Sequence, residues 1–404
     1  MIIFGVFVFR VCKRWNILVK NGWLWKTINI TWCYKFPRDP SLVLNFLQTY
    51  TGNCTHSVHL PHLNNEILRH LQRHCTNLRS LKADVTGSVD MALLPGSLKD
   101  LHLAWCWKTS MPGGSSPYEK VTTSSNCMSR FESSYLSQLQ RLTLTNMVFS
   151  PKLFQYLSNC SSLDHLHIDN CYGVTESGLQ MLANCVSNLK SFWIEMCANG
   201  VTNNDLQVIL HQVARNAKNL SNLKVTYVTI HSLANVEQFV DGELFLNDLS
   251  TSCTNLRHLQ IQGITGISSQ GITGVLYQCG VYLESLTLKW CGPITDEIIG
   301  AIFKYGRNLK RVELLPLTIT DTGLEALLGH STIENLKLNY CQNMGLSLSK
   351  VLQTMVTLPE LKCAEVTIYQ PLLEVSQDEV DAVQQRMSNL TIDVHKYGVR
   401  IGRK

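Results

Sequence analysis

Charge is scarce in this sequence. Only 16% of the 404 residues are Asp, Glu, Lys or Arg, and 35 basic residues exceed 30 acidic ones by five. A surplus so small gives no electrostatic footprint of a nucleic-acid binder. Long apolar runs are missing too. The longest candidate, Ile2 to Phe9, falls well short of the ~20 residues that span a bilayer, and no ordered basic, apolar and small-residue regions mark a secretion signal. None of the fifteen cysteines sits in a CxxC pair, which removes the commonest spacing of zinc ribbons and dithiol redox centres. Phosphate-binding glycine loops, H-E-x-x-H and G-x-S-x-G are absent as well. The expectation is a non-enzyme without metal or cofactor, free of nucleic acid and membrane, in the reducing cytosol or nucleus. A hydrophobic content of 45% excludes disorder throughout.

What the sequence does have is a repeat. Leu98-Lys-Asp-Leu101-His-Leu103-Ala-Trp-Cys106, Leu163 to Cys171, Leu283 to Cys291 and Ile333 to Cys341 share the template L-x-x-L-x-L-x-x-C. Weaker copies begin at Leu78, Leu139, Leu189, Leu220, Leu256, Leu309 and Leu358, and a last one at Met387. Val58-His-Leu60 is an earlier, degenerate strand. The second apolar positions lie 20 to 31 residues apart except for steps of 41 (101 to 142) and 36 (223 to 259), mostly within the leucine-rich-repeat range. Alternation in L-x-L puts both apolar residues on one face of a short strand. Between strands, stretches such as Ile294-Thr295-Asp296 and Ile319-Thr320-Asp321 carry helix-start signals, with Thr or Asp able to cap. A single strand-plus-helix unit cannot bury its own apolar face, so stacking is required. The fold expected is an α/β leucine-rich-repeat solenoid, a horseshoe of about 12–13 repeats.

The same template explains the cysteines. Cys106, Cys171, Cys197, Cys291 and Cys341 fill its last position, and Cys75, Cys160, Cys185, Cys253 and Cys279 recur shortly before a strand. Such regularity predicts small buried hydrophobes without disulfides. The two long steps mark insertions. Residues 108–135, with eight serines and three threonines, read as a loop, and 226–253 as a stretch holding an extra helix or extended segment.

The histidines invite a metal reading, because His70 and His74 lie at i and i+4 on one helix face, near His56, His59 and His62. The sequence favours an ordinary polar face. More informative are the residues between the two inward positions of each strand, which project from the concave side. They are Lys82, His102, Thr143, His167, Trp193, Lys224, Gln260, Thr287, Glu313, Lys337, Lys362 and Thr391, a mildly cationic stripe. Trp105, Tyr227, Trp290 and Tyr340 lie near its edge. Exposed aromatics beside cations make interface anchors. Trp193, Lys224, Trp290, Arg311 and Lys337 are therefore the candidate binding residues, and an acidic or phosphorylated protein segment is the expected partner.

One stretch stands outside the repeat. Val11-Cys12-Lys-Arg-Trp15-Asn-Ile-Leu18, then Leu24-Trp25 and Ile28-Asn-Ile30, resembles the closing half of an F-box, V-C-x-x-W-x-x-L followed by L-W and a strand. With its cysteine-containing repeats the chain resembles the F-box/leucine-rich-repeat proteins. The resemblance implies residues 1–35 as a truncated, C-terminal half of an F-box and 36–404 as the repeat domain. It implies a substrate-recognition subunit of an SCF (cullin–RING) ubiquitin ligase, partnered by an F-box-binding adaptor and cullin. The opening Leu-Pro element and adaptor-docking helices of an F-box have no counterpart here. A non-ligase repeat scaffold or inhibitor that has lost adaptor binding is the alternative.

Overall fold

The computed structural model describes residues 22–31, 39–85, 89–105, 128–130, 137–147, 157, 160–171, 186–197, 203–228, 241–328, 332–341, 358–368, 381, 390–395 and 398–403. They divide into two compact units, one drawn from 1–189 with 199–205 and the other from 190–198 with 206–404.

The first unit contains β1 (Thr27–Asn29), α1 (Pro40–Tyr50), β2 (Ser57–Leu63), α2 (Asn65–His74), β3 (Ser80–Val85), β4 (Val89–Asp90), β5 (Asp100–Trp105), β6 (Met128–Arg130), β7 (Arg141–Thr145) and β8 (His165–Asp169). Strands β1, β2, β3, β5, β7 and β8 pair in that order, all parallel. Helix α2 shows why the sequence folds so. Asn64 caps it by accepting from the Ile67 amide, Ile67, Leu68 and Leu71 face the core, and Arg73 and His74 complement its C-terminal end. Leu98, Leu101 and Leu103 are buried as the template requires. Residues 1–21, with the Val11 to Leu18 part of the F-box-like pattern, lie outside the described residues. The remainder joins the repeats: β1 is the first parallel strand, and Trp25 stacks edge-on against Phe46 and tilted against Tyr50 of α1.

The second unit contains β9 (Ser191–Cys197), α3 (Asn203–Asn216, of which 206–216 belong here), β10 (Asn222–Val228), α4 (Gly242–Ser252), β11 (His258–Gln262), α5 (Ser269–Cys279), β12 (Ser285–Ile294), α6 (Asp296–Tyr305), β13 (Arg311–Leu317), α7 (Asp321–Leu328), β14 (Asn335–Cys341), β15 (Cys363–Ile368), β16 (Leu390–His395) and β17 (Gly398–Arg403). Strands β9 to β15 pair in chain order and in parallel. Leu259, Leu286, Val312 and Leu336 form one inward row and Ile261, Leu288, Leu314 and Leu338 the next, all within the core. Each such leucine contributes about 1.5–3 kcal/mol by leaving water. Both units are leucine-rich-repeat arrays.

Three details depart from the sequence reading, and a fourth refines it. The last copy, from Met387, is no repeat: β16 and β17 form an antiparallel hairpin, and β17 runs antiparallel to β15, so Thr391 does not continue the stripe. The repeat at Leu358 is shifted by three residues, because Ala364 and not Leu361 pairs with Leu336. A small residue fills that inward slot and the flanking leucines draw attention from it. Lys362 thereby moves to the start of the strand, and Glu365 takes its place on the stripe. Within the serine-rich insertion, Met128–Arg130 is a strand that pairs with β4; 108–127 and 131–135 lie outside the described residues. From 226–253, residues 242–252 form α4, capped by Asp241 and packed beside α5 as an ordinary repeat helix.

Two further patterns tie neighbouring repeats together. The Cys171 and Cys291 sulfurs each lie 3.3 Å from a carbonyl oxygen of the preceding strand, Leu144 and Ile261, and 3.3 and 3.1 Å from the Asp169 and Lys289 carbonyl oxygens of their own strands, within donating reach of either. At the strand starts, Arg257, Glu284, Lys310, Glu334 and Lys362 alternate in sign from one repeat to the next. Arg257 to Glu284 measures 3.0 Å, Lys310 to Glu284 3.6 Å and Lys362 to Glu334 2.7 Å. Thr295 is the N-cap residue of α6 but makes no side-chain cap bond. Its neighbour Asp296 instead accepts from the Thr320 amide (2.8 Å) and hydroxyl (2.6 Å) of the following repeat.

Candidate functional site

The open face of the second unit is set by strand register. Trp193, Lys224, Gln260, Thr287, Glu313, Lys337 and Glu365 stand side by side on successive strands. Two residues further along, Glu195, Thr226, Gln262 and Lys289 form a second row. The rows hold three cations and three anions, and every one is paired. Lys224 meets Glu195, Lys289 lies 2.9 Å from Glu313, and Lys337 lies 3.3 Å from Glu365. The face is thus charge-balanced, where four lysines against one glutamate had predicted a cationic stripe. Glu195 and Lys289 were missed because they lie beyond the L-x-L core of the template, and Glu365 because of the shifted register.

The five candidate residues do not form one cluster. Trp193, 41% exposed, sits beside Lys224, whose ammonium lies 5.5 Å from the ring centroid. Lys337 is held by Glu365, farther along the same row. Arg311 is at the start of β13, with a guanidinium nitrogen 3.4 Å from Nδ1 of His258. Burial and the Arg311 charge together hold His258 below its ordinary pKa, so the neutral ring accepts this hydrogen bond. Trp290 lies at the far end of β12, about 17 Å along the strand from the Arg311 level.

Trp290 has the most unusual backbone of the five. Its φ is +54° and its side chain is 48% exposed. Three other repeats share the left-handed turn at this position, with Asn146 (φ 55°), Asn170 (φ 48°) and Gly263 (φ 76°), whereas Trp105 and Tyr227, at the same template position, have no positive φ. Glycine or asparagine accepts that turn. At Gly263 an added Cβ would meet the Tyr227 carbonyl oxygen at 1.9 Å, so that repeat tolerates only glycine. Asn170 donates to Asn146 at 2.7 Å, bridging two repeats through their side chains. A tryptophan gives up both advantages, and left-handed backbone costs it roughly 1–2 kcal/mol.

On the first unit, His59, Lys82, His102, Thr143 and His167 occupy the corresponding row. Burial first, then the neighbouring Lys82 and His167, depress His102 to about 4. His70 and His74 share a face of α2 as expected. Their rings stack at 4.7 Å, and His70 Nε2 lies 2.8 Å from the Thr51 hydroxyl. Among the described residues no group of histidine, cysteine, aspartate or glutamate is arranged to hold a metal ion.

Sequence comparison adds ancestry to this geometry. The chain is 26% identical over 190 residues to F-box/LRR-repeat protein 12 of Homo sapiens, covering 42% of this chain and 51% of that protein. It is 22% identical over 290 residues to the Mus musculus protein of the same name, covering 65% and 82%. A stretch of 97 residues is 33% identical to F-box/LRR-repeat protein 12 of Arabidopsis thaliana, covering 24% of each chain. The chain is a distant relative of F-box/LRR-repeat protein 12. It spans about half the length of the human and bovine relatives it matches. No protein-family model matches it. Among solved structures, it resembles a chain of the yeast Rad7–Elc1 complex (TM-score 0.49, 16% identity, 80% of this chain and 76% of that one). It also resembles an internalin of Listeria monocytogenes (TM-score 0.41, 14% identity, 77% and 80%). Among the described residues no helix is long and apolar enough to cross a membrane.

Proposed function

We propose that this chain is the non-catalytic, target-binding subunit of an SCF-type (cullin–RING) ubiquitin ligase in the cytosol or nucleus. It holds a protein segment on the open face of its second unit, through Trp193, Lys224, Trp290, Arg311 and Lys337. The single observation that carries the binding role is Trp290, an exposed aromatic in the left-handed turn that three other repeats make with asparagine or glycine. Kinship with F-box/LRR-repeat protein 12 supports the ligase role; on this reading residues 1–35, by their F-box resemblance, would face the adaptor. Such a subunit performs no bond chemistry. It raises the effective concentration of its target beside the charged conjugating enzyme.

The paired lysines alter the expected partner. With each lysine of the face already answered by a carboxylate, Arg311 remains the group best suited to an acidic or phosphorylated side chain. The tryptophans carry more of the affinity than any one charge. Co-purification of full-length chain with the F-box adaptor and cullin tests the ligase reading, with target capture by wild type and Trp290→Ala scored in parallel. Adaptor and cullin in the complex, with capture lost in Trp290→Ala, is the expected result. Capture of a target without adaptor or cullin would make the chain a non-ligase scaffold.

A further inference from the structure

The helix side of the second unit has an aromatic surface that the binding face above does not use. Helices α5 and α6 bury Ile272, Val275 and Leu276, and Ile298, Ile299 and Ile302. Four apolar side chains near their C-terminal ends stay in water: Tyr277 (69% exposed), Tyr282 (55%), Val281 (52%) and Phe303 (45%). Single exposed hydrophobes are ordinary, but Tyr277 and Phe303 recur at matching places on adjacent helices, each just after a buried residue (Leu276 and Ile302). Tyr277 of α5 meets Tyr305 of α6 edge-on, at 5.5 Å between centroids and 87° between planes, so the rings bridge the two helices.

The turns after the two helices are tied to each other. The Asn308 amide donates to the Val281 carbonyl, joining the turn after α6 to the turn after α5. A Cβ at Gly280 would come within 2.7 Å of the Tyr305 carbonyl oxygen, a measure of how closely the two turns approach. Pre-ordered aromatics lose little entropy on binding.

Its charge has one sign. Residues 269–283 and 298–312 contain no aspartate or glutamate. Lys304 lies 5.0 Å over the Tyr305 ring, and Arg307 follows in the turn, exposed. Among the described residues neither makes an ion pair, whereas Lys310 and the lysines of the open face all do. Four half-exposed side chains of this size offer on the order of 400 Å². That is about half of what each partner contributes to a standard protein interface, so the platform fits a short segment better than a second copy of the chain.

We propose that the Tyr277–Tyr282–Phe303–Tyr305 platform docks a short acidic segment of another protein, carrying aliphatic or aromatic side chains. It is separate from the open face and does not depend on the ligase reading. The aromatics would take the apolar side chains, and Lys304 and Arg307 would take the carboxylates.

The test is selection from a random-peptide display library on the full chain, followed by fluorescence anisotropy with the selected peptides. Peptides rich in Asp and Glu with interspersed Leu, Ile or Phe are expected. Tyr277→Ser/Phe303→Ser should weaken them at least about tenfold. Lys304→Glu/Arg307→Glu should do the same, with unchanged melting confirming its fold. Trp290→Ala should leave them unaffected, which separates this surface from the open face. Selection of basic or uncharged peptides, or undiminished binding to both double variants, overturns the proposal. So does concentration-dependent self-association that Tyr277→Ser/Phe303→Ser abolishes, or platform-dependent binding to phosphatidylserine vesicles, since each names a different occupant.

Discussion

The Lys224 ammonium lies 5.5 Å from the centre of the Trp193 ring, while the Glu195 carboxylate two residues along the same strand meets its charge. Trp193→Ala should weaken target capture by about 1–3 kcal/mol, and Lys224→Ala by less than about 1 kcal/mol, as for a partly exposed pair. Quantitative pull-down across a salt series checks this. A lysine effect equal to the tryptophan effect, fading with salt, would instead assign the binding to charge.

Trp290→Gly separates stability from binding. Glycine adopts the left-handed turn freely, so the variant should melt at the same temperature or slightly higher, by up to roughly 1 kcal/mol of stability. Target capture should fall by about 1–3 kcal/mol. A lower melting temperature would show that the indole covers the repeat edge and is not a binding anchor.

Leu286 sits between Leu259 and Val312 on adjacent strands, with no exposure to solvent worth the name. Leu286→Asp should cost more than about 4 kcal/mol by burying an unpaired charge, and should unsettle the repeats on both sides. Thermal melting and hydrogen exchange read this out, with lost protection expected in β11 to β13.

Burial raises the thiol pKa to about 12 at Cys171, Cys253 and Cys279, and to about 11 at Cys160 and Cys291. The native protein should therefore leave these thiols unalkylated by iodoacetamide at pH 8 and expose them on unfolding. Mass spectrometry without reductant is the measurement, and recovery of any of them as a disulfide would contradict the free thiols seen here.

His102 should make the fold acid-sensitive. Its folded-state pKa of about 4 lies below the ordinary 6.5, so the fold favours the neutral ring. Unfolding then takes up a proton between these values. The contribution is fully present above pH 6.5 and is lost as pH falls towards 4. Melting temperatures from pH 7 to 4 should fall less steeply for His102→Gln than for wild type.

The repeat was legible because L-x-x-L-x-L forces one face inward, so Leu286 and Leu288 declared both strand and core. Legibility failed where an inward slot holds a small residue: Ala364 went unseen, and with it Glu365. The hairpin of β16 and β17 imitates the template, because alternation sets a strand's faces but not its direction. The candidate site was legible residue by residue, since parity alone places Trp193 and Lys224 on the open face. Its charge balance was not, because ion pairs such as Lys289 with Glu313 cross between repeats some two dozen residues apart. Nor does the sequence show that Trp290 has a positive φ, although asparagine and glycine at the matching positions hint at the turn.

The alternating charges at the strand starts set a rule of parity. From Arg257 to Lys362 each repeat presents a sign opposite to that of its neighbour within the row. Excising the single repeat that carries Lys310 would set Glu284 beside Glu334, like against like, along the edge of the sheet. Excising that repeat together with the next would place Glu284 beside Lys362 and restore attraction. Along this edge a change of one repeat exchanges an attraction for a repulsion, whereas a change of two keeps the alternation, at a cost of only about 0–1 kcal/mol per exposed pair.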